Sequence, residues 1–540
     1  MTERVPVLIT GGGVAGLTAA LLLQRQGVAA ALVEKHASTS PQPKARRFNQ
    51  RSNEVFRSLG LAGAVAEASA PLASFSGMLV GTTLADAQWP EVTEALRASL
   101  AQHATMGDHS PAPSVLCPQD VLEPVLRNAA EARGVSVRFA TELVSFTQDD
   151  TGVTAELRPA GGEPYRLEAE YLIAGDGSRS PIREALGIPC GGYGHLADNL
   201  DIAFRADLTE LVRDKRFNLC TIENPAASGA FVSVNGTDRW LFSTSDFPGS
   251  AALDDEGWRE LLRTIVGVPD LDVEMLSRMP WESGMYVADR FAEGRVFLAG
   301  DAAHSMPPMA AAGANTAIAD VHNLAWKLAA VLRGTASAAL LDTYHPERYP
   351  IAYATAEFSS LVSGHLGTMV KSVTNGEGPR FDPSAAMFGV QYDEGAFVPD
   401  GRGPAPVDHY GPAGRPGTRV PHAWLDGTGA PGGLPAASTG ASTGVSTVST
   451  VSTVSTVDLA GPGFVLLTGP DDSRWAGDAD ALGLQLVRVG DPAWLAEVEL
   501  GDGGALLLRP DAVVAWHSAS GIGLRDALSR VLGSPATVDA

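Results

Sequence analysis

Apolar positions Val7 to Ile9 form a short run that breaks at Gly11-Gly12-Gly13-Val14-Ala15-Gly16, and from Leu17 to Arg25 the spacing becomes helical until Gly27. Ala30-Ala31-Leu32-Val33 is a second strand-like run, ending at Glu34. Two later runs also end in Gly-Asp. Tyr171 to Ala174 leads into Gly175-Asp176-Gly177, with Ile182 to Leu186 as a short helix, and Val296 to Ala299 leads into Gly300-Asp301. Beyond these, Ile318, Val321, Leu324, Ala325, Leu328 and Val331 recur at helical spacing. Phe231 and Ser233, then Trp240, Phe242 and Thr244, alternate on either side of Asn235-Gly236-Thr237, which predicts a hairpin. Near the C-terminus, Gly463 to Thr468, Leu484 to Val489, Ala505 to Arg509 and Val513 to Trp516 read as strands with helical pieces between them.

The first glycine cluster carries chemistry. Gly11, Gly13 and Gly16 satisfy G-x-G-x-x-G after a strand and before a helix. The first glycine permits the tight turn, the second lets a pyrophosphate approach the backbone, and the third lets helix pack on strand. The free amides of the helix start then face phosphate oxygens. Glu34, 18 residues beyond Gly16, closes the βαβ unit where a ribose hydroxyl would be held. An acidic residue there suits FAD or NAD better than NADP, and spacing alone leaves FAD and NAD both open.

Composition narrows the partners. The chain has 540 residues, 39 Lys plus Arg against 62 Asp plus Glu, a net charge of −23 and a pI near 4.8. Such an acidic balance argues against nucleic acid and anionic membrane. No apolar run is long enough for a bilayer, the N-terminus has no signal-peptide layout, and Cys117, Cys190 and Cys220 cannot make a disulfide framework, so a cytoplasmic protein is expected. No His/Cys cluster has metal-ligand spacing, and no Gly-x-Ser-x-Gly elbow is present.

The three glycine motifs occur together with Pro43-Lys44-Ala45-Arg46, Asn49-Gln50-Arg51-Ser52-Asn53-Glu54, Gln119-Asp120-Val121-Leu122-Glu123 and Asn323-Leu324-Ala325-Trp326-Lys327-Leu328. In this order they resemble the class A FAD-dependent aromatic monooxygenases of the para-hydroxybenzoate hydroxylase and phenol hydroxylase type, bacterial aromatic-polyketide hydroxylases above all. The resemblance spans essentially the whole chain. It implies FAD, with Gly11, Gly13, Gly16 and Glu34 on the ADP half, Arg46 and Gln119 near the pyrophosphate and ribityl chain, and Asp301 on a ribityl hydroxyl. Val14, Ala15, Lys35, Gly300, Pro308, Gly313, Ala314 and Asn315 complete the implied cofactor set, and the Asp176 motif would serve both FAD and transient NAD(P)H, with NADPH favoured. One stretch departs from the family pattern: after Pro307-Pro308 the family reads Gly-Gly-x-Gly-hydrophobic-Asn, whereas this chain reads Met309-Ala310-Ala311-Ala312-Gly313-Ala314-Asn315.

The implied architecture is α/β: a Rossmann-like FAD-binding domain (1–75, 103–186 and 286–392), an inserted β-sheet substrate domain (76–102 and 187–285), a Gly/Pro-rich linker (393–416) and a thioredoxin-like C-terminal domain (417–540). That last domain has no cysteine and hence no dithiol exchange, and its residues 436–457 form a low-complexity Ser-Thr-Val loop. The implied reaction consumes NAD(P)H and O₂ and inserts one oxygen atom, through a flavin C4a-hydroperoxide, into a phenolic polycyclic polyketide. The protein would be a monomer or homodimer. His365 is the candidate phenol base, and His304 is read as orienting nearby backbone. Phe231, Trp240, Phe242, Met285 and Pro307 are candidate substrate contacts, with sheet core the competing reading for the hairpin aromatics. Arg205 and Arg239 read as outward-facing charge. Baeyer-Villiger insertion or drug modification would use the same motifs, whereas a non-catalytic flavin- or polyketide-binding protein, or an NAD-dependent dehydrogenase, would belong to other classes.

Overall fold

Strand Glu3–Thr10, buried from Val7 onward, sits inside an eight-stranded sheet. The computed structural model describes residues 3–91, 106–245, 249–308, 311–363, 383–403, 410–425, 454–470 and 473–533. Ala30–Val33 and Tyr165–Ala174 flank the first strand in parallel, and Ser136–Arg138 and Val296–Leu298 extend the parallel core on either side. Ala30–Val33, Val296–Leu298 and the C-terminal part of Tyr165–Ala174 are continuous apolar runs because helices cover both faces of such a sheet, whereas Ser136–Arg138 at its edge is half-buried. Helix Val14–Arg25 begins three residues earlier than its apolar spacing predicts and packs against the 20-residue helix Gly313–Leu332. Thr141–Gln148 and Val153–Pro159 add an antiparallel meander onto Tyr165–Ala174.

A second, seven-stranded sheet runs in the order His304–Ser305, Glu274–Ala288, Cys190–Arg205, Arg239–Ser245, Gly229–Ser233, Leu219–Ile222 and Met78–Gly81. The predicted hairpin is formed by Gly229–Ser233 and Arg239–Ser245. Strand alternation gives this sheet two distinct faces. On one, Phe204, Cys220, Ile222, Phe231, Trp240 and Phe242 pack onto helix Asp255–Val266 through Trp258, Leu262 and Ile265. The opposite face looks at the nucleotide domain: Gln42 Nε2 donates to Ser277 Oγ (3.1 Å), and Arg239 Nη2 donates to Asp120 Oδ2 (2.8 Å). We call this sheet the roof.

The C-terminal region runs strand Val465–Thr468, helix Ala476–Ala481, strand Gln485–Arg488, helix Pro492–Glu497, strands Ala505–Leu508 and Val514–His517, and helix Leu524–Val531. Gln485–Arg488 is parallel to Val465–Thr468, and the other pairings are antiparallel. Within the connector, Ala396, Phe397 and Val398 are buried. Of the Ser-Thr-Val stretch only 454–457 lie among the described residues, and Val454–Ser455 pairs there with Trp424–Leu425. No helix among the described residues is long and apolar enough to cross a membrane.

Candidate functional site

The three glycine turns meet at the C-terminal ends of the parallel strands. Gly11 has φ +100°, and a Cβ there would lie 2.0 Å from the carbonyl oxygen of Gly175. A Cβ on Gly16 would lie 2.0 Å from the oxygen of Gly11, and one on Gly300 (φ +62°) would press on Ala317 and Ala15 at 3.1 and 3.2 Å. Gly13 differs: nothing approaches its Cβ position more closely than Glu123 Oε1 at 3.5 Å. The first and third glycines are thus consumed by protein packing, while the second leaves room for a ligand's phosphates beside the helix start. Arg183 ties the later two turns together, donating to Ala302 O (2.9 Å) and Ser178 O (3.0 Å). Sequence reasoning missed it; its only sequence signal is an arginine in the helix that follows Gly-Asp-Gly.

Several side chains converge on this cleft. Glu34 accepts from the Gly12 amide (2.7 Å) and the His36 amide (2.8 Å), bracing the loop, and Lys35 beside it is exposed. Arg46 donates through Nη1 to Asn218 O (3.1 Å), whereas its Nε and Nη2 are buried without a partner; burial lowers its pKa to about 10, with Arg47 adding to the shift. Two unpartnered guanidinium donors in a buried position call for an anion or several acceptors. Gln119 holds the loop, accepting from Ala45 N (3.2 Å) and donating to Glu123 Oε1 (2.6 Å). Burial raises the pKa of Glu123, against hydrogen bonds from Gln119 and Ser40. Asp176 caps the following helix through Ile182 N (3.2 Å), and its Oδ1 is buried and unpartnered; burial raises its pKa, with Ser180 opposing. The Asp301 surface is exposed to the cleft, yet protein surrounds the carboxyl closely enough for desolvation to raise its pKa, against His304 and Lys44.

Helix Gly313–Leu332 points its N-terminus into the same region. Its opening amides, including those of Gly313, Ala314 and Asn315, precede the first intrahelical bond, from Thr316 N to Ala312 O. The Asn315 carboxamide is committed to protein: it accepts from Asn49 N (3.0 Å) and Ser52 Oγ (2.6 Å) and donates to Arg47 O and Ala311 O. Only its backbone amide is left to serve a ligand. Val14 is buried, Ala15, Gly313 and Ala314 are half-buried, and Pro308 is exposed. Behind the Gly300 turn, Asp320 accepts from Gly300 N (3.1 Å), His304 Nε2 (2.6 Å) and Arg348 Nε (2.9 Å). Burial would raise the Asp320 pKa, but His304 and Arg348 hold it below the usual carboxylate range. His304 therefore braces the turn through Asp320.

A family model described as an FAD binding domain matches residues 4–359, and one described as aromatic-ring hydroxylase, C-terminal, matches residues 413–535. The chain belongs to the FAD-dependent aromatic hydroxylases. Among relatives of this hydroxylase, the tetracenomycin A2 monooxygenase-dioxygenase of Streptomyces glaucescens is 38% identical over 579 residues, covering 98% of this chain and 97% of that one. A 4-methyl-5-nitrocatechol 5-monooxygenase of a Burkholderia species is 35% identical over 547 residues, covering 95% and 94%. A crystal structure of aklavinone-11 hydroxylase with FAD and aklavinone superposes with a TM-score of 0.83 at 31% identity, over 99% of this chain and 100% of that one. The enzyme is a flavin monooxygenase that binds FAD, and the open side of Gly13 and the unpartnered donors of Arg46 fit that cofactor.

The hydroxylase distributes its expected substrate contacts unevenly. Phe231, Trp240 and Phe242 are fully buried on the roof face that packs against helix Asp255–Val266, where Trp240 Nε1 donates to Ala206 O (3.1 Å). Met285 is fully buried in the core of the nucleotide domain, and Pro307 is buried too. The structure does not bring the three aromatics to the cleft. Alternation shows that they share a face but not which one, and the apolar stripe of the helix decides it. Arg205 is outward, paired with Asp238 and Glu274. Arg239 is not outward: it reaches across to Asp120 of the nucleotide domain. His365 lies outside the described residues.

Proposed function

We propose that the enzyme inserts one oxygen atom of O₂ into a phenolic, polycyclic aromatic polyketide, with NAD(P)H as reductant. One observation carries the substrate class. On the cleft-facing side of the roof, the described residues present Leu241, Val232, Ala203, Met279, Trp281, Ser243, Asp201 and Thr221, and the two arginines that share this face are both already paired, Arg239 with Asp120 and Arg205, at the exposed end of its strand, with Asp238 and Glu274. A carboxylated phenol needs an available cation, because burying an unpaired carboxylate is costly. A neutral multi-ring phenol needs area and a few hydrogen bonds, which this surface provides. The names of the tetracenomycin relative and of the aklavinone complex support the same reading.

Bound FAD, once reduced, supplies the oxygen-activating chemistry. The chain's own residues do the rest. Gly13 and the amides opening helix Val14–Arg25 would bind the pyrophosphate, Arg46 would add two donors, and Asp301 would accept from a ribityl hydroxyl. The opening amides of helix Gly313–Leu332, backed by its dipole, would stabilise negative charge on the flavin. The roof excludes water and orients the ring over the cofactor. The test is NAD(P)H oxidation with product mass analysis on the FAD-loaded protein, using p-hydroxybenzoate, phenol and a hydroxyanthraquinone. Coupled oxygen insertion into the multi-ring compound is expected. Coupled turnover confined to p-hydroxybenzoate would refute the substrate class, and a ring-expanded product would replace hydroxylation with Baeyer-Villiger insertion.

A further inference from the structure

The cleft-facing side of the roof carries one transverse row of residues in register. Thr221 lies opposite Ala230, Ala230 opposite Ser243, Ser243 opposite Asp201, and Asp201 opposite Met279. Toward one end of the row Asp201 accepts two hydrogen bonds, from Ser243 Oγ (2.6 Å) and Trp281 Nε1 (2.9 Å). Both go to the same oxygen, Oδ1. The other oxygen, Oδ2, has no hydrogen-bond partner among the described residues, and no cation pairs with it there. At the far end of the row Thr221 is 8% exposed, and its hydroxyl is buried without a partner. Three strand spacings separate Thr221 from Asp201, about 14 Å.

A carboxylate on the cleft-facing side of the sheet whose one oxygen is locked by two donors while the other is unpaired is a hydrogen-bond acceptor of fixed direction. Desolvation raises its pKa, with Ser243 and Trp281 opposing. A half-buried carboxylate with spare lone pairs and no cation favours a neutral donor and repels an anion. We propose that Asp201 is a specificity-determining residue: its Oδ2 accepts a hydrogen bond from a phenolic hydroxyl of the substrate and rejects carboxylated aromatics, while Ser243 and Trp281 position it. This rests on the reading that the cleft takes a phenolic polycycle.

The experiment titrates the FAD-loaded enzyme with 2,6-dihydroxyanthraquinone and with anthraquinone-2-carboxylate, following perturbation of the flavin absorbance. Wild type, Asp201→Asn, Ser243→Ala and Trp281→Phe are compared. Asp201→Asn is expected to weaken the dihydroxy compound by roughly ten- to a hundredfold, the effect of removing a charged acceptor, and to strengthen the carboxylate, with FAD content unchanged. Ser243→Ala and Trp281→Phe keep the carboxylate and should lose several-fold through poorer positioning. They keep the question open to refutation should Asp201→Asn fold poorly. Unchanged discrimination between the two ligands in Asp201→Asn, or unchanged binding in both positioning variants, would overturn the assignment of Asp201 alone. Failure of the wild type to bind the dihydroxy compound would overturn the polyketide reading and with it this inference.

Discussion

Replacing Ala311 by glycine tests whether the turn into helix Gly313–Leu332 is strained. Ala311 has φ +50°, the left-handed region, and it stands where the resembled family carries glycine. Its surroundings pin it there, since its amide donates to Pro308 O (2.9 Å) and its carbonyl accepts from Asn315 Nδ2 (2.6 Å). An L-residue in this region costs about 1–2 kcal/mol, while glycine adds about 0.4–1 kcal/mol of unfolded-chain entropy, so Ala311→Gly should stabilise by roughly 0.5–1 kcal/mol. Ala312 is an internal control: at φ −93° and ψ −31° it is ordinary right-handed backbone. Glycine there brings only the entropy loss and should destabilise by about 0.5–1 kcal/mol. Equilibrium denaturant titration, followed by the rise in flavin fluorescence on release, reports on this segment. Shifts of opposite sign are expected for the two substitutions. If both lowered the midpoint equally, the strain argument would fail.

Asp301→Ala should weaken FAD retention by roughly tenfold or more, since a hydrogen bond to a charged acceptor contributes about 1.5–3 kcal/mol; unchanged flavin content after dialysis would count against Asp301 as a cofactor ligand. Glu347, with no exposed surface, pairs with Lys327 (2.9 Å) and Arg509 (2.8 Å). Glu347→Gln removes the carboxylate paired with buried Lys327 and one of the two paired with Arg509, which keeps Asp511, and should cost about 3–5 kcal/mol, read as a lower thermal midpoint. Burial alone would raise the Glu347 pKa, but Arg509 and Lys327 hold it down at about 2. Because the folded value lies below the unfolded one, this stabilisation is complete above about pH 4.5 and is lost as pH falls toward 2. Acid titrations of wild type and Glu347→Gln should therefore converge over that window, and parallel curves would contradict the pairing.

The nucleotide half of this enzyme was legible because its signals are local. Glycine spacing, the apolar runs around it and Glu34 lie within one βαβ unit, and the helix bearing Ile318, Val321 and Leu324 shows its own period. The roof was legible as strands but not as a surface. Phe231, Trp240 and Phe242 stood out as large aromatics, yet which face they occupy depends on helix Asp255–Val266, far along the chain. Asp201, Ser243 and Trp281 come together through register between three strands, which no window of sequence reveals. Arg239 looked like solvent-facing charge because its partner, Asp120, belongs to another domain. Asn315 matched the family motif, but its carboxamide is spent on Asn49, Ser52, Arg47 and Ala311, contacts 266 residues away in the case of Asn49.

The cysteine-free C-terminal domain also has a physical role in this arrangement. Arg419, 5% exposed, donates through Nε to Glu54 (3.1 Å), which also accepts from Ser110 (2.7 Å) and pairs with Arg51. Glu54 lies in helix Gln50–Ser58, whose cap Asn49 and residue Ser52 both bond the Asn315 side chain at the start of helix Gly313–Leu332. From the other side, Arg509 reaches Glu347, which pairs with Lys327 in that same helix. The domain thus clamps helix Gly313–Leu332 near its beginning through Glu54 and in its second half through Glu347. Its removal would expose Glu54 and Glu347 and take one of the two cations from each, so the loss would reach the start of helix Gly313–Leu332. A helix terminus that stabilises charge must be held still to be preorganised, and here two arginines from a domain without flavin motifs hold it.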